Sequence, residues 1–259
     1  MGDTTDSKRG KFYGDVSAKL TEISTLLLFF ELELNRIDDA ALEAAMKVPA
    51  LAHYRPWIEN LRMEKPYQLD DRLEELFLEK SQTSASAFNR LFDETMAGLR
   101  FEIDGEMLPL EPTLNLMQSP DEAKRRKGAE ALAKTFGQNI KLFTLITNTL
   151  AKDKDISDRW RGFKDIADAR HLSNRVEPEV VAALVESVRR NYPQLSHRYY
   201  RMKAKWLGKD QLMHWDRNAP LPAEDTREVP WAQAKDMVLS AYGAFAPEMA
   251  EIARTFFDR

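Results

Sequence analysis

Apolar residues at Leu20, Ile23, Leu27, Phe30, Leu34 and Ile37 follow one another in steps of three and four, which predicts a long first α-helix. Leu26, Leu28, Phe29 and Leu32 fill the faces between them, so the middle of this helix is hydrophobic nearly all round and needs partners on several sides. Residues 1–11 are polar and read as disordered or as a linker, with order expected from Phe12. Asp38 or Asp39 then opens a short helix ending near Val48 and Pro49, and a second short helix is expected between Pro56 and Met63. Asp70 or Asp71 caps a helix through LEELFLEK, and Ser84 or Ser86 opens another that carries Phe88, Leu91, Phe92, Met96 and Leu99. The helical period is lost in residues 100–110, RFEIDGEMLPL. Phe101 and Ile103 alternate before Asp104-Gly105, and Leu108 and Leu110 alternate after it, a hairpin signal because glycine tolerates the positive φ of a primed turn. Pro109 confines its strand to an edge or to its end.

The next segment begins with Ser119-Pro120-Asp121-Glu122, which reads as a capping box with proline at the first helical position. Its helix carries Leu132 and Phe136 inward and continues past Gly137 to Leu150, while the charged residues 152–158 read as a turn. Trp160 and Phe163 lead into residues 167–222. There Val181, Val185, Val188, Tyr192, Leu195, Tyr199, Met202 and Trp206 recur at three and four, predicting one buried stripe along a kinked helix pair. Pro178 suits the first turn, Pro193 divides the run and Gly208 suits the position past its end, so the pair delivers a polar loop over 214–222. Residues 223–228 read as an acidic loop, 230–242 as a helix and 247–257 as another. No repeat, low-complexity tract or interdomain linker stands out. The expected fold class is therefore all-α, a multi-helix lobe with one small β-hairpin near 101–110. Its parts are 1–11, a helical region over 12–118 ending in the hairpin, and a helical region over 119–259 continuous with the first.

Composition supports the helical reading and narrows the chemistry. Only 10 of 259 residues are glycine, and the apolar positions lie among abundant Glu, Lys, Arg, Leu and Ala. The formal net charge of -4 argues against a protein whose main task is to coat nucleic acid. There is no cysteine, hence no disulfide, thiol nucleophile or cysteine-ligated metal site. The first residues lack the apolar core of a secretory signal and the run from Leu26 to Phe30 is too short to span a bilayer, so a soluble, cytoplasmic protein with no membrane partner is expected.

The four histidines, His53, His171, His197 and His214, form neither His-Glu-x-x-His nor any pair four residues apart. A Walker loop, a dinucleotide fingerprint and a Gly-x-Ser-x-Gly elbow are also missing, so no catalytic residue and no metal ligand is assigned. Two polar clusters remain. Asp168, His171 and Asn174 could be an interhelical hydrogen-bonded group or could touch substrate in a cleft. His214, Trp215, Asp216, Arg217 and Asn218 could be a loop tied down by an Asp–Arg pair or the rim of a peptide groove. The cations Arg189, Arg190, Arg198, Arg201, Lys203, Lys205 and Lys209 permit a nucleic-acid face with Tyr199, Tyr200 and Trp206 as stacking groups. A solvated helix face explains them more simply, and no nucleic-acid partner is expected.

HLSNRVEPEVVAALVESV, LSHRYYRMKAKWLG, HWDRNAPLP, KFYGDVSAKLTEISTLLLFFELELNRI, RFEIDGEMLPL and MQSPDEAKRRKGAEAL together resemble the oligoendopeptidase F branch of the M3, thimet oligopeptidase-like zinc metallopeptidases. The resemblance runs from Phe12 to Arg259. It implies an almost wholly helical ellipsoid with a deep channel for short peptides, in which zinc is held by His-Glu-x-x-His and a later Glu, with the motif's Glu as base on the metal-bound water. The zinc helix, the third ligand and the family's substrate-orienting Tyr and His would all follow the end of this sequence. The family also normally has helices before Lys8, which would account for the apolar first helix. The chain is accordingly expected to be an internal piece: a cut fragment, a truncated gene product, or half of a split or nicked enzyme. It would form channel wall in a zinc oligoendopeptidase, hold no cofactor itself, and lack activity without a second chain carrying the zinc motif. An inert helical binding or scaffold module is the alternative.

Overall fold

A computed structural model describes residues 6–221 and 227–258. Among the described residues 75% are helical, and the described strands form one two-stranded hairpin, so the all-α expectation holds. Two compact units, Met1–Ala219 and Pro220–Arg259, divide the chain.

In the first unit, helix α1 (Ser7–Arg36) starts ahead of Phe12, because the Asp6 carboxylate accepts the free N–H groups of Lys8 at 2.9 Å and Arg9 at 3.2 Å. Helix α2 (Asp39–Ala45) is capped in the same way by Asp38, and a short α3 (Pro49–Ala52) leads to α4 (Arg55–Glu64). Asp70 caps α5 (Asp71–Lys80), and α6 (Ala85–Gly98) precedes the hairpin. Strands β1 (Phe101–Ile103) and β2 (Glu106–Leu108) pair antiparallel with Phe101 opposite Leu108. Asp104 at φ 52° and Gly105 at φ 87° supply the two positive angles that a primed turn requires. Pro109 ends the hairpin and sits before α7 (Leu110–Leu116), a helix that the apparent alternation of Leu108 and Leu110 concealed.

Three local expectations change from here. Helix α8 (Glu122–Gln138) is capped by Asp121, whose carboxylate accepts the Ala123 N–H at 2.8 Å; Ser119 Oγ accepts only the Asp121 N–H, and Glu122 turns outward to other partners. The chain breaks at Asn139 before α9 (Ile140–Arg161), instead of continuing as one helix. Residues 152–158 are helical, with Lys152–Asp155, Lys154–Asp158 and Asp155–Arg159 spaced three or four apart for ion pairs on the helix surface. Gly162, at φ 81°, then ends α9. Between these elements the fully buried Phe101 meets Phe136 at 5.5 Å, Phe136 meets Phe143 at 6.1 Å and Phe143 meets Phe92 at 5.9 Å. This chain of edge-to-face rings joins β1, α8, α9 and α6.

Helix α10 (Asp168–Ser173) precedes α11 (Pro178–Asn191) and α12 (Ser196–Trp206), which divide around Pro193 as the sequence predicts, with Gly208 at positive φ beyond the end. The predicted buried stripe is not buried. Val185, Val188, Tyr192, Leu195, Tyr199, Met202 and Trp206 are all exposed, because none of the described elements of the first unit covers that face; α12 buries Lys203 and Ala204 instead. Much of α1 is likewise open, with Leu32 and Asn35 buried but Phe12, Leu26, Leu27 and Phe29 exposed.

The second unit contains α13 (Trp231–Phe245) and α14 (Pro247–Phe257). Trp231 packs edge-on against Phe257 at 5.7 Å, Lys235 pairs with Asp258, and Ala250 is buried. Among the described residues, no helix is long and apolar enough to cross a membrane.

Candidate functional site

The polar run 214–218 is organised by its middle residue. A single 3-10 turn, His214–Asp216, follows α12, and the Asp216 side chain points into the body, fully removed from solvent. Its Oδ1 accepts from Arg125 Nη2 at 2.8 Å, and its Oδ2 accepts from Lys209 Nζ at 2.6 Å and from the Met213 N–H at 3.0 Å. Arg125 is itself only 2% exposed and donates through Nη1 to the carbonyls of Ser119 at 2.8 Å and Pro120 at 2.9 Å. Lys209 also pairs with Glu122, whose Oε1 accepts from Trp215 Nε1 at 3.4 Å. Two cations therefore face two carboxylates, and the loop is tied to the N-terminus of α8. Lys203, nearly buried, adds a bond from Nζ to the Arg217 carbonyl at 2.8 Å.

These contacts set the charges. Burial works against an ionised Asp216, but the bonds from Arg125, Lys209 and the Met213 amide outweigh it and hold the carboxyl below the usual carboxylate range. The Lys209 bond lowers Glu122 in the same direction. Burial opposes the Lys209 ammonium, and its bonds to Asp216 and Glu122 raise it nonetheless. Asp216, Glu122 and Lys209 are thus charged near neutral pH.

With Asp216 held inside, the residues beside it face outward. His214 and Arg217 line a cavity of about 460 Å³ together with His197, Tyr200, Arg201 and Asp210. Asn218 is exposed, and the ring of Trp215 lies edge-on to His214 at 4.8 Å. Pro222 and residues 223–226 lie outside the described residues.

Asp168, His171 and Asn174 are not drawn into this network. The Asp168 carboxylate accepts the N–H groups of Asp165 at 2.8 Å and Lys164 at 3.0 Å, closing the turn between α9 and α10. Those two bonds, opposed by desolvation and aided by the charge of His171, hold it below the usual carboxylate range. Of α10, it is Ala169, Leu172 and Ser173 that line a cavity, on a different side from the 214–218 loop's own. The anchors Arg125, Lys209 and Glu122 were not singled out by the sequence pattern. A helix start crowded with Lys124, Arg125, Arg126 and Lys127 was the available signal, but nothing local says which cation turns inward. The basic stretch 189–209 does not form a uniform cationic face: Lys203 and Lys209 serve the loop, and Arg190 pairs with Glu186 at 2.6 Å.

Among the described residues, no group of three or more His, Asp or Glu side chains is placed to hold a metal ion. The donor set present here does not fit a zinc centre.

The helical arrangement matches known structures. An oligoendopeptidase-F from Enterococcus faecium superposes with a TM-score of 0.76 and 22% identity, over 99% of this chain and 50% of that one, so the fold is that of oligoendopeptidase F proteins. The sequence agrees. Residues 33–101 match the family model described as Oligopeptidase F. Oligopeptidase PepF of Bacillus subtilis (strain 168) is 24% identical over 256 residues, 96% of this chain and 37% of that protein. Group B oligopeptidase PepB of Streptococcus agalactiae serotype III (strain NEM316) is 25% identical over 230 residues, 86% of this chain and 38% of that protein. The expected resemblance to the oligoendopeptidase F branch of the M3 peptidases is borne out, and the chain spans well under half the length of these two curated relatives.

Proposed function

We propose that this chain is a non-catalytic part of a zinc-dependent oligoendopeptidase that cleaves internal bonds of short peptides, and that it forms wall of the substrate channel. The observation that carries the reading is the combination of near-complete coverage of this chain with partial coverage of its relatives. The open apolar faces of α1 and α11–α12 support it, since faces of that kind in a folded protein mark surfaces that meet further protein. In the proposed whole, 12–118 and 119–259 act as one helical region against a catalytic part that bears His-Glu-x-x-His. Because the residues present here do not fit a zinc site, this chain is assigned no bond-breaking step. The metal would polarise the scissile carbonyl and activate water from the other part.

Within the channel wall, His214 and Arg217 contact peptide from the cavity they share with His197 and Tyr200. Trp215 and Asn218 form its rim, Asp216 positions the loop without touching substrate, and Asp168, His171 and Asn174 form a second, weaker contact point. The alternative is an inert helical scaffold.

The test is mass spectrometry and zinc analysis of the protein recovered from its source cells, with an internally quenched peptide assay. The expected result is a polypeptide carrying His-Glu-x-x-His in the same complex, stoichiometric zinc and peptide hydrolysis. A lone, metal-free and inactive species would favour the scaffold, and hydrolysis by the rigorously pure 259-residue chain would overturn the non-catalytic assignment.

A further inference from the structure

The cavity of about 460 Å³ beside the 214–218 loop has two walls and the size of a small-ligand site. One wall is α12, where His197, Tyr200, Arg201 and Ala204 recur at three and four and so share one face of the helix. The other is the segment 210–217, which brings Asp210, Leu212, Met213, His214 and Arg217. Its backbone is fixed at both ends of the turn. The Met213 N–H donates to the buried Asp216 carboxylate at 3.0 Å, and the Arg217 carbonyl accepts from Lys203 Nζ at 2.8 Å. Arg217 is therefore carried on a wall that is in place before a ligand arrives, which spares the cost of ordering a loose loop.

The charges of the lining do not cancel. Arg201 and Arg217 are permanently cationic, Asp210 is the one carboxylate beside them in the lining, and among the described residues neither guanidinium forms an ion pair. His197, His214 and the Tyr200 hydroxyl add hydrogen-bond donors whether or not the imidazoles are protonated. The polar part of the cavity thus suits one negative charge spread over acceptor oxygens, and a guanidinium meets the planar carboxylate with two parallel bonds. The rest of the lining is apolar: Ala204, only 4% exposed, with Leu212, Met213 and the Tyr200 ring. An inorganic anion leaves that part unfilled. At the free C-terminus of a peptide, a carboxylate and an aliphatic side chain leave the same Cα, so one residue fills both parts. An acidic side chain carries its charge at the end of its own stem, with no aliphatic branch beside it.

We infer, resting on the proposed reading of this cavity as a peptide contact, that it takes the free C-terminal carboxylate of a short peptide on Arg201 and Arg217, with the last aliphatic side chain against Leu212 and Met213. Isothermal titration calorimetry of the full 259-residue chain at constant ionic strength tests this with three ligands: N-acetyl-alanyl-leucine, its C-terminal amide, and N-acetyl-glutamyl-leucinamide. Expected are saturable one-site binding of the acid, at least tenfold weaker binding of both amides, and at least tenfold loss of acid binding in Arg201→Gln and in Arg217→Gln. Both arginines are exposed, so neither exchange touches the core. Arg198→Gln, on α12 but outside the cavity lining, keeps the affinity. Equal binding of the acid and its own amide would overturn the carboxylate assignment and leave the peptide reading standing. Binding of the glutamyl amide as tight as that of the acid would overturn the C-terminal assignment in favour of an acidic side chain. A loss in Arg198→Gln equal to that in the two lining variants would overturn the site in favour of general charge attraction. No saturable binding of any of the three would overturn the peptide reading of the cavity as well.

Discussion

Asp216 shows how much one side chain decides here. Its carboxylate is buried at 0% exposure and answered by a guanidinium, an ammonium and a main-chain amide. Removing it leaves the Arg125 guanidinium buried without a counter-charge, so Asp216→Ala should cost about 3–5 kcal/mol in denaturant unfolding. The same bonds predict an acid limit. The folded carboxyl sits below the ordinary aspartate value of about 3.9, so its contribution is complete above that pH and is lost as pH falls from there through the folded value. Unfolding free energy of the native chain should therefore drop steeply below about pH 4, and Asp216→Asn should flatten that limb. Equal slopes in the two proteins would remove Asp216 from the account. In the sequence, the Asp216-Arg217 neighbours suggested a local pair; the partner is Arg125, 91 positions away, and a contact of that separation leaves no local trace.

At the scale of elements, most of what was legible rests on residues whose effect is local. Asp38 and Asp70 cap their helices, Asp104-Gly105 turns the hairpin and Pro193 separates α11 from α12. Where several local signals compete, the pattern misleads: Ser119, Pro120 and Asp121 all suit a helix start, and Asp121 prevails because Arg125 holds the carbonyls of Ser119 and Pro120 outside the helix. Charged residues 152–158 suggested a turn, but opposite signs three and four apart support a helix equally well. Packing between α7 and α8 gives a sharper case. A Cβ built on Gly128 would lie 3.1 Å from the Leu116 Cβ and 3.2 Å from the Thr113 carbonyl oxygen. Gly128→Ala should thus destabilise by about 1–3 kcal/mol despite its better helix propensity, read by thermal unfolding. A gain in stability would mean that α7 gives way freely.

For the molecule as a whole, the exposed stripe on α11 and α12 separates folding from assembly. Leu184 and Val188 are both exposed and one turn apart, so the double substitution Leu184→Glu and Val188→Glu should change unfolding free energy by no more than about 1 kcal/mol. It should also reduce binding of a hydrophobic dye and lower any self-association seen by sedimentation. A loss well above that range would mean that the face is covered within the chain. The sequence by itself determined the helical class, the hairpin, most caps and the resemblance to oligoendopeptidase F, because periodicity, turn chemistry and motif strings are properties of neighbouring residues. Only tertiary structure decided that Asp216 turns inward to Arg125 and Lys209, and that His214 and Arg217 open onto a shared cavity. It also decided that the α11–α12 stripe stays uncovered by the described fold. Periodicity reports that a face is apolar; which surface covers it depends on residues distant in the sequence or on another polypeptide surface.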